Sequence, residues 1–199
     1  MCFWILVEKC CHYFDLINLM AETRIDNVYA VSGQAVNFID FTYEGKDSDI
    51  HDDAYVFMQF AGGISASFTL NMFSRELYEE LSVTGKNGRL LASEHSSFTP
   101  GSRSRAEIMV EVDGQSAYQG KEVTYPAQSE ASGHQGATFF EHEAFIDQLE
   151  GKPHDSASCE QGMWAILIAS AAQQSAAAGQ LISVKDFAAE QGLNDVLSW

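Results

Sequence analysis

The chain has 199 residues, with 28 acidic side chains against 11 basic ones and a formal net charge of −17. A charge of that size is repelled by nucleic acid and by anionic membrane surfaces, which argues against both as partners. Hydrophobic residues at 46% and aromatics at 12% suit a soluble globular chain with one well-filled core, and no run of about 20 uninterrupted apolar residues predicts a transmembrane helix.

The opening "MCFWILVEKCCHYFDLINLM" is apolar but is interrupted by Glu8, Lys9, His12 and Asp15. No basic region precedes it and no small-residue cleavage site follows, so it does not read as a signal peptide. Residues 5–21 contain no proline or glycine, and Leu6, Tyr13, Leu16, Ile17 and Met20 supply an apolar stripe, which predicts a helix. On it Glu8, His12 and Asp15 stand at i, i+4 and i+7, on one face. From about residue 26 the period falls to two. "NVYAVSGQAVNF" (27–38) predicts a strand, and residues 52–70 predict a hairpin turned at Gly62–Gly63. The second arm alternates, with Ile64, Ala66, Phe68 and Leu70 inward. The first arm is apolar on both faces, which calls for cover on both sides. "ELSVTGKNGRLLAS" predicts another hairpin, with Asn87-Gly88 suited to a turn of positive φ, and "RAEIMVEVDG" and "GKEVTYP" predict two further strands.

Beyond Pro126 a polar stretch (127–136) leads to "ATFFEHEAFIDQLEGKP", a helix with Phe139, Phe145, Ile146 and Leu149 on one side that stops at Gly151 before Pro153. "SCEQGMWAILIASAAQQSAAAG" follows, with Ser158 and Gln161 spaced as a capping box and Gly179 closing it. The four cysteines (Cys2, Cys10, Cys11, Cys159) show no CxxC spacing and no disulfide framework, which fits a reducing cytoplasm. The order of helix, six or seven mainly antiparallel strands and then two or three helices predicts an α+β fold. It is a single domain over 1–199: helix 5–21, an open sheet over about 26–126 with helices on one face, and helices over about 136–191. The other sheet face is expected to be a subunit interface.

"EKCCHYFDLINLM", "DDAYVFMQFAGGISASFTLNMFS", "LSVTGKNGRL", "EHEAFIDQLEGKP" and "GMWAILIASAAQQSAAAGQLISV" together, in order and over nearly the whole chain, resemble the C-terminal half of Gfo/Idh/MocA-type oxidoreductases. The resemblance implies an NAD(P)-dependent dehydrogenase of sugars, polyols or related hydroxy compounds, in which this half carries the substrate side and often mediates dimers or tetramers. The N-terminal Rossmann half of that family has no counterpart here: no G-x-G-x-x-G occurs and no strand–turn–helix unit could seat a pyrophosphate. NAD or NADP is therefore expected in a full-length enzyme, and no bound cofactor on this chain alone.

The resemblance assigns His12 as the group that exchanges the substrate's hydroxyl proton, a task suited to an imidazole of near-neutral pKa. It places Glu8 where several members carry an aspartate that orients or charges the histidine, and points to His134 as a substrate contact; Asp15, three residues beyond His12, is a further candidate for substrate binding. Each has a plainer reading: a histidine satisfied at a helix–sheet junction, a solvated glutamate, a hydrogen-bonding or capping aspartate, a loop histidine. His142 beside Phe139 and Phe145 reads as a buried core histidine. Consecutive His51, Asp52 and Asp53 converge poorly on one ion, so no metal site is expected. Cys10 and Cys11 are read as packing residues, since helix neighbours point about 100° apart from His12. Two functions remain in play: the substrate-binding and oligomerising half of such a dehydrogenase, or a non-catalytic binding or assembly module derived from it.

Overall fold

A computed structural model describes residues 5–99, 102, 104–113, 119–132 and 134–193. Cys2 and Gly114 lie outside the described residues. In chain order the elements are α1 (Ile5–Glu8), α2 (Cys11–Ala21), β1 (Ile25–Gly33), β2 (Thr42–Tyr43), β3 (Lys46–Asp47), β4 (Asp53–Phe60), β5 (Ser65–Asn71) and β6 (Glu76–Gly85). Then come β7 (Gly88–Ser97), β8 (Arg105–Val112), β9 (Gln119–Val123), α3 (Ala127–Glu130), α4 (Ala137–Leu149), α5 (Cys159–Ala178), β10 (Ile182–Ser183) and α6 (Val184–Glu190). They form two compact units, Met1–Phe73 with Ala157–Trp199, and Ser74–Ser156.

The first unit holds the core. Its sheet has the order β10–β1–β4–β5, and every pairing is antiparallel. Strand β4 alternates sharply: Ala54, Val56, Met58 and Phe60 are buried, while Tyr55, Phe57 and Gln59 are exposed. Its hairpin to β5 turns through Gly62 (φ 76°) and Gly63 (φ 83°), where glycine avoids the cost of a Cβ in the left-handed region. Ile64, expected inward, is exposed because it belongs to this turn. The inner face is covered by α5, which is capped by the expected box: Ser158 Oγ accepts from Gln161 N–H at 3.2 Å, and Gln161 Oε1 accepts from Ser158 N–H at 2.7 Å. Gly179 ends it at φ 65°. Small residues on its buried face, among them Ala165, Ala169 and Ala172, let the helix lie close to β1. Strand β10 meets β1 only at Asn27 and Val28. Beyond it, the N–H of Ala30 donates instead to the buried Ser175 Oγ at 2.9 Å, and that hydroxyl donates to Gln180 O at 2.6 Å.

Two expectations for this unit need correction. The helix predicted over 5–21 is broken: α1 ends at Glu8, and Cys10 (φ −104°, ψ 0°) starts α2. Leu6, Cys10 and Phe14 are all buried in the core, so packing sets the path of this segment more than its own periodicity. The strand predicted over 27–38 stops at Gly33 because the N–H groups of Ala35, Val36 and Asn37 turn to the carboxylate of Asp52.

The second unit is a four-stranded antiparallel meander, β6–β7–β8–β9, followed by α3, a 3-10 turn (His134–Gly136) and α4. Lys86 and Asn87 connect β6 to β7, and neither Asn87 nor Gly88 adopts the positive φ expected for this turn. Gly88 is needed for another reason: a Cβ there would lie 2.1 Å from the backbone oxygen of Glu111 on β8. Helix α4 spans the expected residues but buries none of them; Phe139, Phe145, Ile146 and Leu149 are all exposed. His142 is likewise exposed, with Nδ1 2.7 Å from Thr138 O, so it is not the buried core histidine its sequence neighbours suggest. No described helix is long and apolar enough to cross a membrane.

Candidate functional site

The break at Cys10 places His12 in the first turn of α2, where its side chain is exposed. Its ring lies against Tyr13, with centroids 4.0 Å apart at 45°, and Tyr13 stacks in turn on Phe68 of β5 at 5.4 Å and 29°. Phe14 is fully buried and also packs against Phe68, with centroids 5.2 Å apart. Burying Phe14 contributes about 1.5–3 kcal/mol and fixes the helix to the sheet. Three aromatic rings thus back the imidazole, and a rigid element presents it to solvent. That is the requirement for a proton-exchanging group.

Glu8 is exposed at the end of α1, on the far side of the break, so regular i, i+4 helical spacing does not relate it to His12. Asp15 stays on α2 with His12, three residues on and half-buried. His134 belongs to the second unit, exposed and at φ 47°, a left-handed conformation uncommon for a non-glycine residue. Gly136 just beyond it, at φ 97°, sits against α3, where a Cβ would meet Ser129 at 3.3 Å.

Cys10 carries no chemistry. Burial pushes its thiol up to about 12, with Cys11 adding to the rise and Lys9 opposing it, so the nucleophilic thiolate is suppressed. Asp52, which the sequence offers only as part of an acidic loop, is fully buried. Its carboxylate accepts the N–H groups of Ala35 at 2.5 Å, Val36 at 2.9 Å and Asn37 at 2.5 Å. Burial alone would raise its pKa. The donors Ala35, Asn37 and Val36, with its own backbone N–H, outweigh burial and hold it below the usual carboxylate range. His51 beside it shares a 2.7 Å hydrogen bond with Ser32 Oγ. Among the described residues no group of three or more His, Cys, Asp or Glu is placed to hold a metal.

The family model for the C-terminal alpha/beta domain of the oxidoreductase family matches residues 3–185. The chain belongs to the Gfo/Idh/MocA oxidoreductase family. Among solved structures it is similar to levoglucosan dehydrogenase in complex with NADH and levoglucosan (TM-score 0.67, 18% identity), covering 90% of this chain and 50% of that one. The WlbA dehydrogenase from Bordetella pertussis, in complex with NADH and UDP-GlcNAcA, matches at TM-score 0.57 and 14% identity over 88% of this chain and 46% of its own. Aldose-aldose oxidoreductase from Caulobacter crescentus, complexed with glycerol, matches at TM-score 0.58 and 12% identity over 87% and 45%. At these identities the likeness is one of fold, and the Gfo/Idh/MocA chain described here spans about half the length of each relative. A search of the curated proteins finds no match. Every described strand pairing is antiparallel, and the sequence has no G-x-G-x-x-G phosphate loop.

Proposed function

We propose that this chain is the substrate-binding and oligomerising half of an NAD(P)-dependent dehydrogenase acting on a sugar, polyol or related hydroxy compound. A nicotinamide held by the other half of a full-length protein would supply the hydride acceptor. The part of this chain is the proton: His12 accepts it from the substrate hydroxyl and returns it in the reverse direction. Asp15, on the same helix as His12, contacts the substrate. Dimerisation uses the outer face of the β1–β4–β5 sheet, where Tyr55 and Phe57 stand exposed.

The observation that carries this reading is His12 itself, exposed on the leading turn of α2 and backed by Tyr13 and Phe68. The test is His12→Ala and His12→Asn in the full-length protein, followed as NAD(P)H formation with sugar and polyol substrates. Removal of a general base lowers kcat by about 10²–10⁴-fold while leaving dinucleotide affinity unchanged. A variant as fast as the parent protein would overturn the assignment. Dinucleotide binding without turnover in either form would favour the non-catalytic module.

A further inference from the structure

Strand β5 is the last strand of the first sheet, and its free side is open. Two hydrogen bonds of 2.8 Å, Met72 N–H to Asp52 O and Phe60 N–H to Ile64 O, fix the phase of the β4–β5 ladder. Ala66, Phe68 and Leu70 therefore turn their backbone groups to β4, whereas Ser65, Ser67, Thr69 and Asn71 turn theirs to the open side. None of these four N–H groups has a hydrogen-bond partner among the described residues.

Every other edge of the two four-stranded sheets carries a device against strand addition. Strand β10, only two residues long, covers β1 at Asn27 and Val28, and beyond it Ser175 Oγ accepts the N–H of Ala30. Strand β6 carries Glu76, Glu79 and Glu80, and β9 carries Lys121 and Glu122. Over its seven residues β5 has no charge, no proline and no break in register with β4.

The side chains around this edge select what can lie on it. Ala66, Phe68 and Leu70 pack against the core yet are only half-buried, as are Tyr13 and Ile17 of α2 beside them. An added strand with an apolar residue at every second position would complete the burial of this side. On the opposite face Ser65, Ser67 and Thr69 are exposed, and small hydroxyl residues pair well across from them. Charge decides between occupants: a second copy, itself at −17, is repelled at long range, whereas a segment with basic ends is drawn in. The geometry points to the open side of β5 as a docking site for an extended segment of another protein, about seven residues long, apolar at alternate positions and basic at its ends. The site lies in the first unit and does not depend on the role assigned to His12.

The test adds the end-blocked peptide Lys-Thr-Val-Thr-Val-Thr-Val-Thr-Lys to the full chain and follows backbone amide shifts and hydrogen exchange. Exchange at Ser65, Ser67, Thr69 and Asn71, fast in the chain alone, should slow by about tenfold or more at saturating peptide, while Ala66 and Phe68, already bonded to β4, change little. A peptide with proline in place of its two middle threonines lacks two of the donors facing β5, and one with glutamate ends is repelled; each should bind at least about fivefold more weakly. Thr69→Pro removes an N–H that β4 does not use and should weaken the lysine-ended peptide by about fivefold. Ser67→Lys guards the edge without touching the ladder and gives the same reading should the proline variant not fold. Unchanged exchange at the four amides, equal binding of the proline or glutamate peptide, or full binding by Ser67→Lys would each overturn the proposal. So would slow exchange of those amides without peptide: growing with chain concentration, it assigns the edge to a second copy, and at every concentration, to the chain itself.

Discussion

Asp52 shows how one side chain redirects the backbone. A strand whose apolar residues run on past Gly33 is stopped there because three successive N–H groups find a carboxylate instead of a neighbouring strand. Asp52→Asn keeps the shape but removes the charge, and its amide NH₂ would face backbone donors that it cannot accept from. The expected loss is about 1.5–3 kcal/mol, the range for hydrogen bonds to a charged group. Because the folded-state pKa is depressed, this stabilisation is fully present above the unfolded value of about 3.9 and is lost as pH falls through the lower folded value. Urea midpoints of the parent and variant should therefore differ clearly at neutral pH and converge in acid. A gap that stays constant into acid would mean that the carboxylate's charge has no part in anchoring the loop.

At the scale of elements, α5 was fully legible in the sequence. Ser158, Gln161 and Gly179 are local signals acting on their own backbone, and the structure has both capping-box bonds and the left-handed end. Ser158→Ala should accordingly cost about 0.5–2 kcal/mol in thermal or urea unfolding. The β4–β5 hairpin was legible for the same reason. The break at Cys10 was not, since no glycine or proline marks it and its cause is the burial of Leu6, Cys10 and Phe14 against distant residues. Nor was the exposure of α4: a stripe of Phe139, Phe145, Ile146 and Leu149 has the pattern of a core-facing helix whether or not anything covers it. Of the candidate site, His12 and Asp15 kept a common helix, whereas Glu8 was separated from them by that break. Gly88 was assigned to turn geometry when its real constraint is the backbone of β8. Gly88→Ala should loosen the β7–β8 end, seen as faster hydrogen exchange at Gly88 and Val112. Gly62→Ala, at an open turn with nothing within 4 Å of the added Cβ, should cost only the strain of its positive φ.

For the whole molecule, self-association sets apolar attraction against charge. Each copy carries −17, so two copies repel at long range. The outer face of the first sheet departs from that acidity: Tyr29, Phe57 and Ser67 pair in one row and Val31, Tyr55 and Thr69 in the next, with no charge among them. Three strands of about seven residues cover roughly 14 Å by 24 Å. That amounts to about 700 Å² over two partners, below the roughly 1,200 Å² of a standard stable interface. A dimer built on this patch alone is weak, and its strength depends on how far the repulsion is screened. Raising the salt from about 0.01 M to 1 M shortens the screening length from about 30 Å to 3 Å. Light scattering should then show a shift from monomer toward dimer that also grows with protein concentration. Phe57→Asp puts a carboxylate at the centre of the patch, and the variant should stay monomeric at every salt concentration while its unfolding midpoint is unchanged. If the variant dimerises like the parent chain, the contact lies on another surface. If the parent chain dissociates as salt rises, polar contacts rather than apolar ones hold the pair.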